Sequence, residues 1–427
     1  MTTRRALVAP VSPGPISTPS PCPLVLLIVY YILVMRRLAA RLLLVLGGLL
    51  VGLLMVEAAF RLAGPNVPLD LTLARFQAYH PIYGFFHQPG VSGWVRTDEF
   101  TSFVKFNTQG LRGPELSIPK PAGTYRALVL GDSVVEGAQV AEDATMAARL
   151  RAELATLAGG RRVETVNAGV AGFGTGQQLL FLEREGLPYQ PDLIVLVFTI
   201  ANDPADNSLA VARRHKLAAE RRPFFLLEGG ELELQPFQAP PPEQWSGLRT
   251  FLRDHSVVFT TLELWWIGKS VARAQGSVVP PLDAEKEVYL NELGDDWPQA
   301  WAVTDALLAR VQATADAADV PLLVVLAPSE WQVYDDLWPR LVGSGDQARR
   351  RYSPDAPIRR LNEIAARHGI ALLDLRPTFR AEAAGGPPVI FRKDGHWTEH
   401  GHAVAARTVA AAVQEHGLAR AAETTAR

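Results

Sequence analysis

The sequence predicts an α/β protein built on a parallel sheet with helices flanking it. Short apolar runs recur at residues 125–130, 163–166, 193–200, 321–326 and 371–375. Helix-period patterns lie between and after them, at 144–157, 177–185, 299–318, 356–368 and 399–416. The run LIVLVFTI at 193–200 is apolar without a break, as a strand buried on both faces must be. Strands alternating with helices specify parallel crossovers.

Composition sets the outer limits. The chain has 427 residues, 48% hydrophobic and 20% charged, so it can bury a large core. With 42 basic and 44 acidic residues, nothing global attracts nucleic acid. Cys22 is the sole cysteine, which excludes an intramolecular disulfide and any multi-cysteine metal site.

In chain order, residues 1–23 are rich in Pro, Ser and Thr and read as disordered. The apolar run at 24–35 is too short to span a bilayer alone. Arg36, Arg37 and Arg41 come next, then the uncharged stretch LLLVLGGLLVGLLMV at 42–56, with Glu57 and Arg61 beyond it. Residues 38–60 supply a transmembrane helix if Arg41 and Glu57 snorkel. The arginines before it predict a cytoplasmic N-terminus and an exported body. A cleaved signal peptide is the rival reading, and a buried core helix a third. MRRLAARLLLVLGG from Met35 itself reads as an export signal, so Met35 is a second candidate start. The expected organisation is a disordered cytoplasmic segment 1–37, an anchor 38–60 and a lead-in 61–124 with a few strands. A catalytic domain at 125–416 and a polar tail at 417–427 complete it. Within that domain the rhythm breaks at about 204–298, an insertion that includes a hairpin around Gly229-Gly230 and an amphipathic helix at 245–274. Its Trp265 and Trp266 are expected in a core.

Ligands of an open α/β sheet bind at the carboxyl ends of its strands. The strand ends here carry Gly131-Asp132-Ser133, then Asn167-Ala168-Gly169-Val170-Ala171-Gly172-Phe173-Gly174, then Ala201-Asn202-Asp203, and near the C-terminus, after the last strand, Asp394-Gly395-His396-Trp397. A serine hydroxyl needs a base, which His396 can be. Asp394, two residues away in an extended loop, can orient the imidazole. The oxyanion needs donors in place: the N–H groups of Ser133 and Gly169 and the amide of Asn202 are the candidates. Each piece alone also reads as an ordinary turn; their order along the strand ends favours chemistry. Asp132 reads as a turn hydrogen-bonder. His396, His400 and His402 could be read as metal ligands, but no further carboxylate is suitably spaced, and His402 reads as a packing or capping residue.

The sequence resembles the SGNH or GDSL hydrolases. Gly131-Asp132-Ser133 matches their nucleophile block, Asn167-Ala168-Gly169 the second, Asn202-Asp203 the third, and Asp394 with His396 the last. Two blocks depart from the usual pattern: Ile200-Ala201 precedes Asn202 where Gly-x is common, and one residue, not two, separates Asp394 from His396. The segments GLRGPE and DGHWTEHGH resemble the membrane-anchored bacterial branch related to polysaccharide O-acetyl-modifying proteins, which shares the shorter spacing. The resemblance implies a three-layer flavodoxin-like fold, a Ser133-His396-Asp394 triad, and Gly169 as the oxyanion-hole glycine. It also implies an inner-membrane location with a periplasmic body and no metal or organic cofactor. The expected substrate is an acyl ester, an acetylated polysaccharide being one form; acetyl, longer acyl and thioester groups all fit the same triad. Three functions remain in view: an esterase, an O-acyltransferase using the same site, and a non-catalytic glycan-binding protein.

Overall fold

The computed structural model describes residues 23–63, 76–215, 222–237, 239, 246–274, 286–294 and 296–419. The readings of residues 1–22 and of the extreme C-terminal tail lie outside these. The chain divides into two compact units, residues 1–64 with 256–258, and the remainder.

The first unit is dominated by helix α1, Pro23–Ala63. It starts well before residue 38, so the expected boundary there is not a structural one. No glycine or proline interrupts residues 24–46, and the arginines are good helix formers, so the first apolar run continues into the second. Its stretch Tyr30–Leu62 has a mean hydropathy of 2.4 and no buried share, which by length and composition suffices to cross a bilayer. Glu57 and Arg61 pair with each other one turn apart, at 2.8 Å.

The second unit opens with two antiparallel hairpins, β1 (Gln77–His80) with β2 (Gly84–His87) and β3 (Ser92–Arg96) with β4 (Thr101–Lys105). Strand β5 (Thr124–Gly131), helix α2 (Ser133–Glu136), α3 (Met146–Ala155), β6 (Arg162–Gly169), α4 (Thr175–Phe181) and β7 (Leu193–Thr199) come next. The inserted region holds α5 (Asp203–Asp206), α6 (Leu209–His215), the hairpin β8 (Phe224–Glu228) and β9 (Glu231–Gln235), α7 (Ser246–His255) and α8 (Val257–Ala274). Then come α9 (Trp297–Ala317), β10 (Leu322–Ala327) and the short helices α10 (Glu330–Val333), α11 (Trp338–Val342) and α12 (Asp346–Arg351). The chain finishes with α13 (Ala356–His368), β11 (Ala371–Asp374), α14 (Arg376–Gly385) and α15 (Glu399–Glu415).

Five strands form one parallel sheet in the order β11-β10-β7-β5-β6. Counted along the chain from the opposite edge this is 2-1-3-4-5, the flavodoxin-like order. Residues alternate between the two faces. Leu128, Leu130, Ile194, Leu196, Val324 and Leu326 join one core with α4, α9 and α13. Val129, Val195, Val197, Leu323 and Val325 join the other with α3 and α15. Each such side chain stabilises the fold by roughly 1.5–3 kcal/mol when fully buried. Because the sheet is covered on both sides, its inner strands β7 and β10 read as continuous apolar runs in the sequence.

The insertion contains the expected hairpin, turning on Gly229 and Gly230 at φ 61° and 93°. The helical stretch is two helices broken at Ser256. Trp265 and Trp266 are 58% and 63% exposed, against the expectation that they belong to a core.

Candidate active site

The carboxyl end of β5 is where the chain switches sides, with β6 on one flank and β7 on the other. Loops leaving these three strands therefore diverge around a crevice. Strand β5 ends at Gly131 and α2 begins at Ser133, so Asp132 alone makes the turn. A Cβ on Gly131 would collide with the Val135 side chain, which is why the turn needs glycine. Asp132 caps α2, accepting from Val134 N at 2.9 Å.

His396 stands over this turn. Its Nε2 lies 2.8 Å from Ser133 Oγ and its Nδ1 2.8 Å from Asp394 Oδ1. With the proton on Nδ1, donated to Asp394, the Nε2 lone pair faces the serine hydroxyl. The two side chains meet through a turn, not an extended loop. Gly395 takes φ 82° and donates its N–H to Phe391 O, while Phe391 N donates to His396 O. A left-handed glycine between the two residues turns them to one side. Buried Trp397, bridged to Ile390, pins the loop end.

Asp132 does more than close a turn. It is buried, and it accepts from Thr199 Oγ1 and Asn202 Nδ2, each at 3.0 Å, as well as from Val134. Burial pushes its carboxyl above the usual carboxylate range, opposed by the hydrogen bond from Asn202 and those from Val134 and Thr199, and by the charge of His396. The Asn202 amide also donates to Asp206 Oδ2 at 3.1 Å, and Asp206 is held by Arg222 at 3.1 Å. Both Asn202 protons are thus directed at carboxylates, one of which must yield for donation elsewhere.

The expectation for Gly169 does not fit its surroundings. Its N–H donates to Asn167 Oδ1 at 3.1 Å, and a Cβ there would overlap the Glu136 backbone nitrogen. Gly169 is a close-packing glycine beneath α2. Three residues on, Gly172 is exposed, at φ 85°. The N–H groups of Ser133 and Gly172 have no hydrogen-bond partner among the described residues. A second glycine in N-A-G-V-A-G is the signal for this in the sequence.

Three residues of this neighbourhood have contacts that the sequence does not give away, although one, Arg112, lies in the GLRGPE segment. Glu136 is buried, and its carboxylate accepts from Ala171 N at 2.6 Å and contacts His87 Nε2 at 3.0 Å. Arg112, buried, donates to the carbonyls of Glu136, Gly137 and Val140. The lead-in thus braces both α2 and the Gly169–Gly172 loop. A charge next to a nucleophile gives no hint of its partner when that partner, His87, lies 49 residues upstream.

The other histidines do not join His396. His402 is buried, and its Nδ1 accepts from Met146 N at 3.1 Å, capping α3. Burial lowers its pKa to about 3, helped by the charges of Arg112, His396 and Arg149. His400 pairs with Glu382 at 3.1 Å. No group of three His, Cys, Asp or Glu side chains among the described residues could hold a metal ion.

Residues 291–427 match the family model described as the SGNH hydrolase-like domain of the acetyltransferase AlgX. The matched part of the chain is similar to this family. The match takes in the loop carrying Asp394 and His396, and the sheet continues upstream through β5 to Ser133. Solved structures similar to the chain include the acetyl xylan esterase AlAXEase, at 12% identity over 67% of this chain and 99% of that one, TM-score 0.36. A two-domain esterase active on acetylated mannans aligns at 11% identity over 68% of this chain and 49% of that one, TM-score 0.36. A mutant of Axe2, an acetyl-xylooligosaccharide esterase from Geobacillus Stearmophilus, aligns at 13% identity over 69% and 94%, TM-score 0.35. No curated protein matches the chain.

Proposed function

We propose that the protein is a membrane-anchored serine enzyme acting on acyl esters, with an acetyl ester of an exported polysaccharide as substrate. The observation that carries this is the hydrogen-bonded run from Ser133 through His396 to Asp394, 2.8 Å at each step. Ser133 Oγ attacks the acyl carbonyl as its proton passes to His396 Nε2. Asp394 holds the ring and stabilises the imidazolium. The N–H groups of Ser133 and Gly172 receive the oxyanion, with Gly172 in the role first given to Gly169, and Asn202 joins them if its bond to Asp206 or Asp132 yields. The alcohol leaves with the His396 proton, and an acyl-enzyme remains. Helix α1 anchors the chain, and Arg36, Arg37 and Arg41, on the N-terminal side of its uncharged run at 42–56, orient the body to the periplasmic side.

Water completes the cycle in an esterase. A sugar hydroxyl completes it in a transferase, a reading favoured by the family match to an acetyltransferase domain. The test is turnover of p-nitrophenyl acetate by the full chain in detergent, with Ser133→Ala beside it. Loss of turnover in the variant supports the serine mechanism; equal turnover overturns it. Adding acetylated oligosaccharides with labelled acetyl groups then separates the two fates: free acetate alone at saturating acceptor excludes transfer.

A further inference from the structure

The turn between β3 and β4 reaches the loop that carries Asp394. Glu99 sits in that turn, half-buried, and its carboxylate accepts three consecutive backbone N–H groups. Oε1 takes Arg392 N at 3.1 Å; Oε2 takes Lys393 N at 3.0 Å and Asp394 N at 2.8 Å. The contact has flanking support: Lys393 Nζ donates to Asp98 at 3.1 Å, and the Phe100 and Phe391 rings lie 5.2 Å apart. The turn itself is built to present the side chain, since Thr97 Oγ1 accepts the N–H of Glu99 at 3.2 Å.

We infer that Glu99 is a positioning residue for the catalytic base, acting through Asp394; this rests on the serine mechanism proposed above. The loop from Phe391 to His396 is closed at its base by its own two backbone bonds and has a left-handed glycine inside it. Left alone, its peptide units at 392–394 could rotate, carrying the Asp394 carboxylate away from His396 Nδ1. A carboxylate accepting three charge-assisted bonds fixes those units. The brace is thus supplied by the chain's own lead-in, 295 residues upstream of Asp394. This explains why residues 76–112 sit against the site: Arg112 and His87 brace the nucleophile end, and Glu99 braces the base.

The experiment uses the full chain in detergent with p-nitrophenyl acetate, comparing wild type, Glu99→Gln and Glu99→Ala. A displacement of about 1 Å in a catalytic group can lower the rate ~100-fold; a loosened loop that still samples the productive geometry should cost ~10-fold. We expect kcat to fall about 10-fold in Glu99→Ala, with KM unchanged and the Gln variant intermediate, because one amide oxygen replaces two carboxylate oxygens. The pH profile supplies the readout that lost folding would not move. A carboxylate held against His396 favours its charged form, so loosening Asp394 moves the acid limb of kcat/KM to lower pH. Active sites are counted by fluorophosphonate titration. A kcat per titrated site within twofold of wild type, or an unmoved acid limb, overturns the inference. Absence of turnover in wild type would instead bring down the serine mechanism itself, so the two failures are distinct.

Discussion

His402 makes the fold sensitive to acid. The ring is buried at the meeting of α3 and α15, with Trp397 edge-on at 5.5 Å. Its Nδ1 already accepts the Met146 N–H, so a proton added there would face a donor. Its pKa falls from 6.5 to about 3. Unfolding exposes the ring and restores the ordinary value. Between these two values the unfolded chain therefore binds more protons than the folded one, and stability drops as pH drops through that window. At ~1.4 kcal/mol per unit of pKa difference, the loss from pH ~7 to pH ~4 is about 3 kcal/mol. His402→Gln keeps an acceptor for Met146 and cannot titrate. It should start less stable than wild type at neutral pH, and the gap should shift by about 3 kcal/mol in its favour at pH ~4. Urea unfolding of both full-length chains in detergent, followed by tryptophan fluorescence, measures the gap at each pH; other titrating groups cancel in the difference. A gap constant with pH would rule out this linkage.

Three further outcomes are expected. Arg126→Met should destabilise by up to ~3–5 kcal/mol, because it breaks the buried pair and leaves Glu164 only the exposed Arg162, and adding Glu164→Gln should recover part of this in thermal melts. Gly169→Ala should destabilise the fold by ~1–3 kcal/mol through overpacking against α2, seen as a lower melting temperature, whereas the exposed Gly172 should tolerate Ala with a smaller loss of stability and a larger relative loss of kcat. Deleting residues 1–62 should move the protein from the alkaline-washed membrane pellet to the soluble fraction; a chain that stays in the pellet would contradict the proposed anchoring by α1.

The sheet is legible in the sequence because covering on both faces forces β7 and β10 to be apolar throughout, and the crossovers leave helix-period patterns between strands. The proposed nucleophile Ser133 stands out in the sequence because it follows a strand end, where a parallel sheet exposes chemistry, whereas the proposed base His396 follows helix α14 and stands out by its spacing from Asp394. Gly169 misleads for a physical reason: a glycine is required wherever backbones approach, and α2 approaches β6 as closely as any ligand could. Glu99, Glu136 and Arg112 are not legible. Their partners are backbone groups and a histidine on other elements, and no local spacing encodes such contacts. The start of α1 is hidden because the arginines look like a boundary, while helix formation depends on propensity, which arginine satisfies.

Everything in the mechanism depends on an activated serine. Fluorophosphonate labelling of the full chain in detergent probes this without assuming a substrate, with wild type, Ser133→Ala and His396→Ala side by side. Rapid labelling of wild type is expected, none of Ser133→Ala, and labelling of His396→Ala slowed by several orders of magnitude. Equal labelling of wild type and Ser133→Ala, or no labelling of folded wild type, would show that Ser133 is not the nucleophile described here.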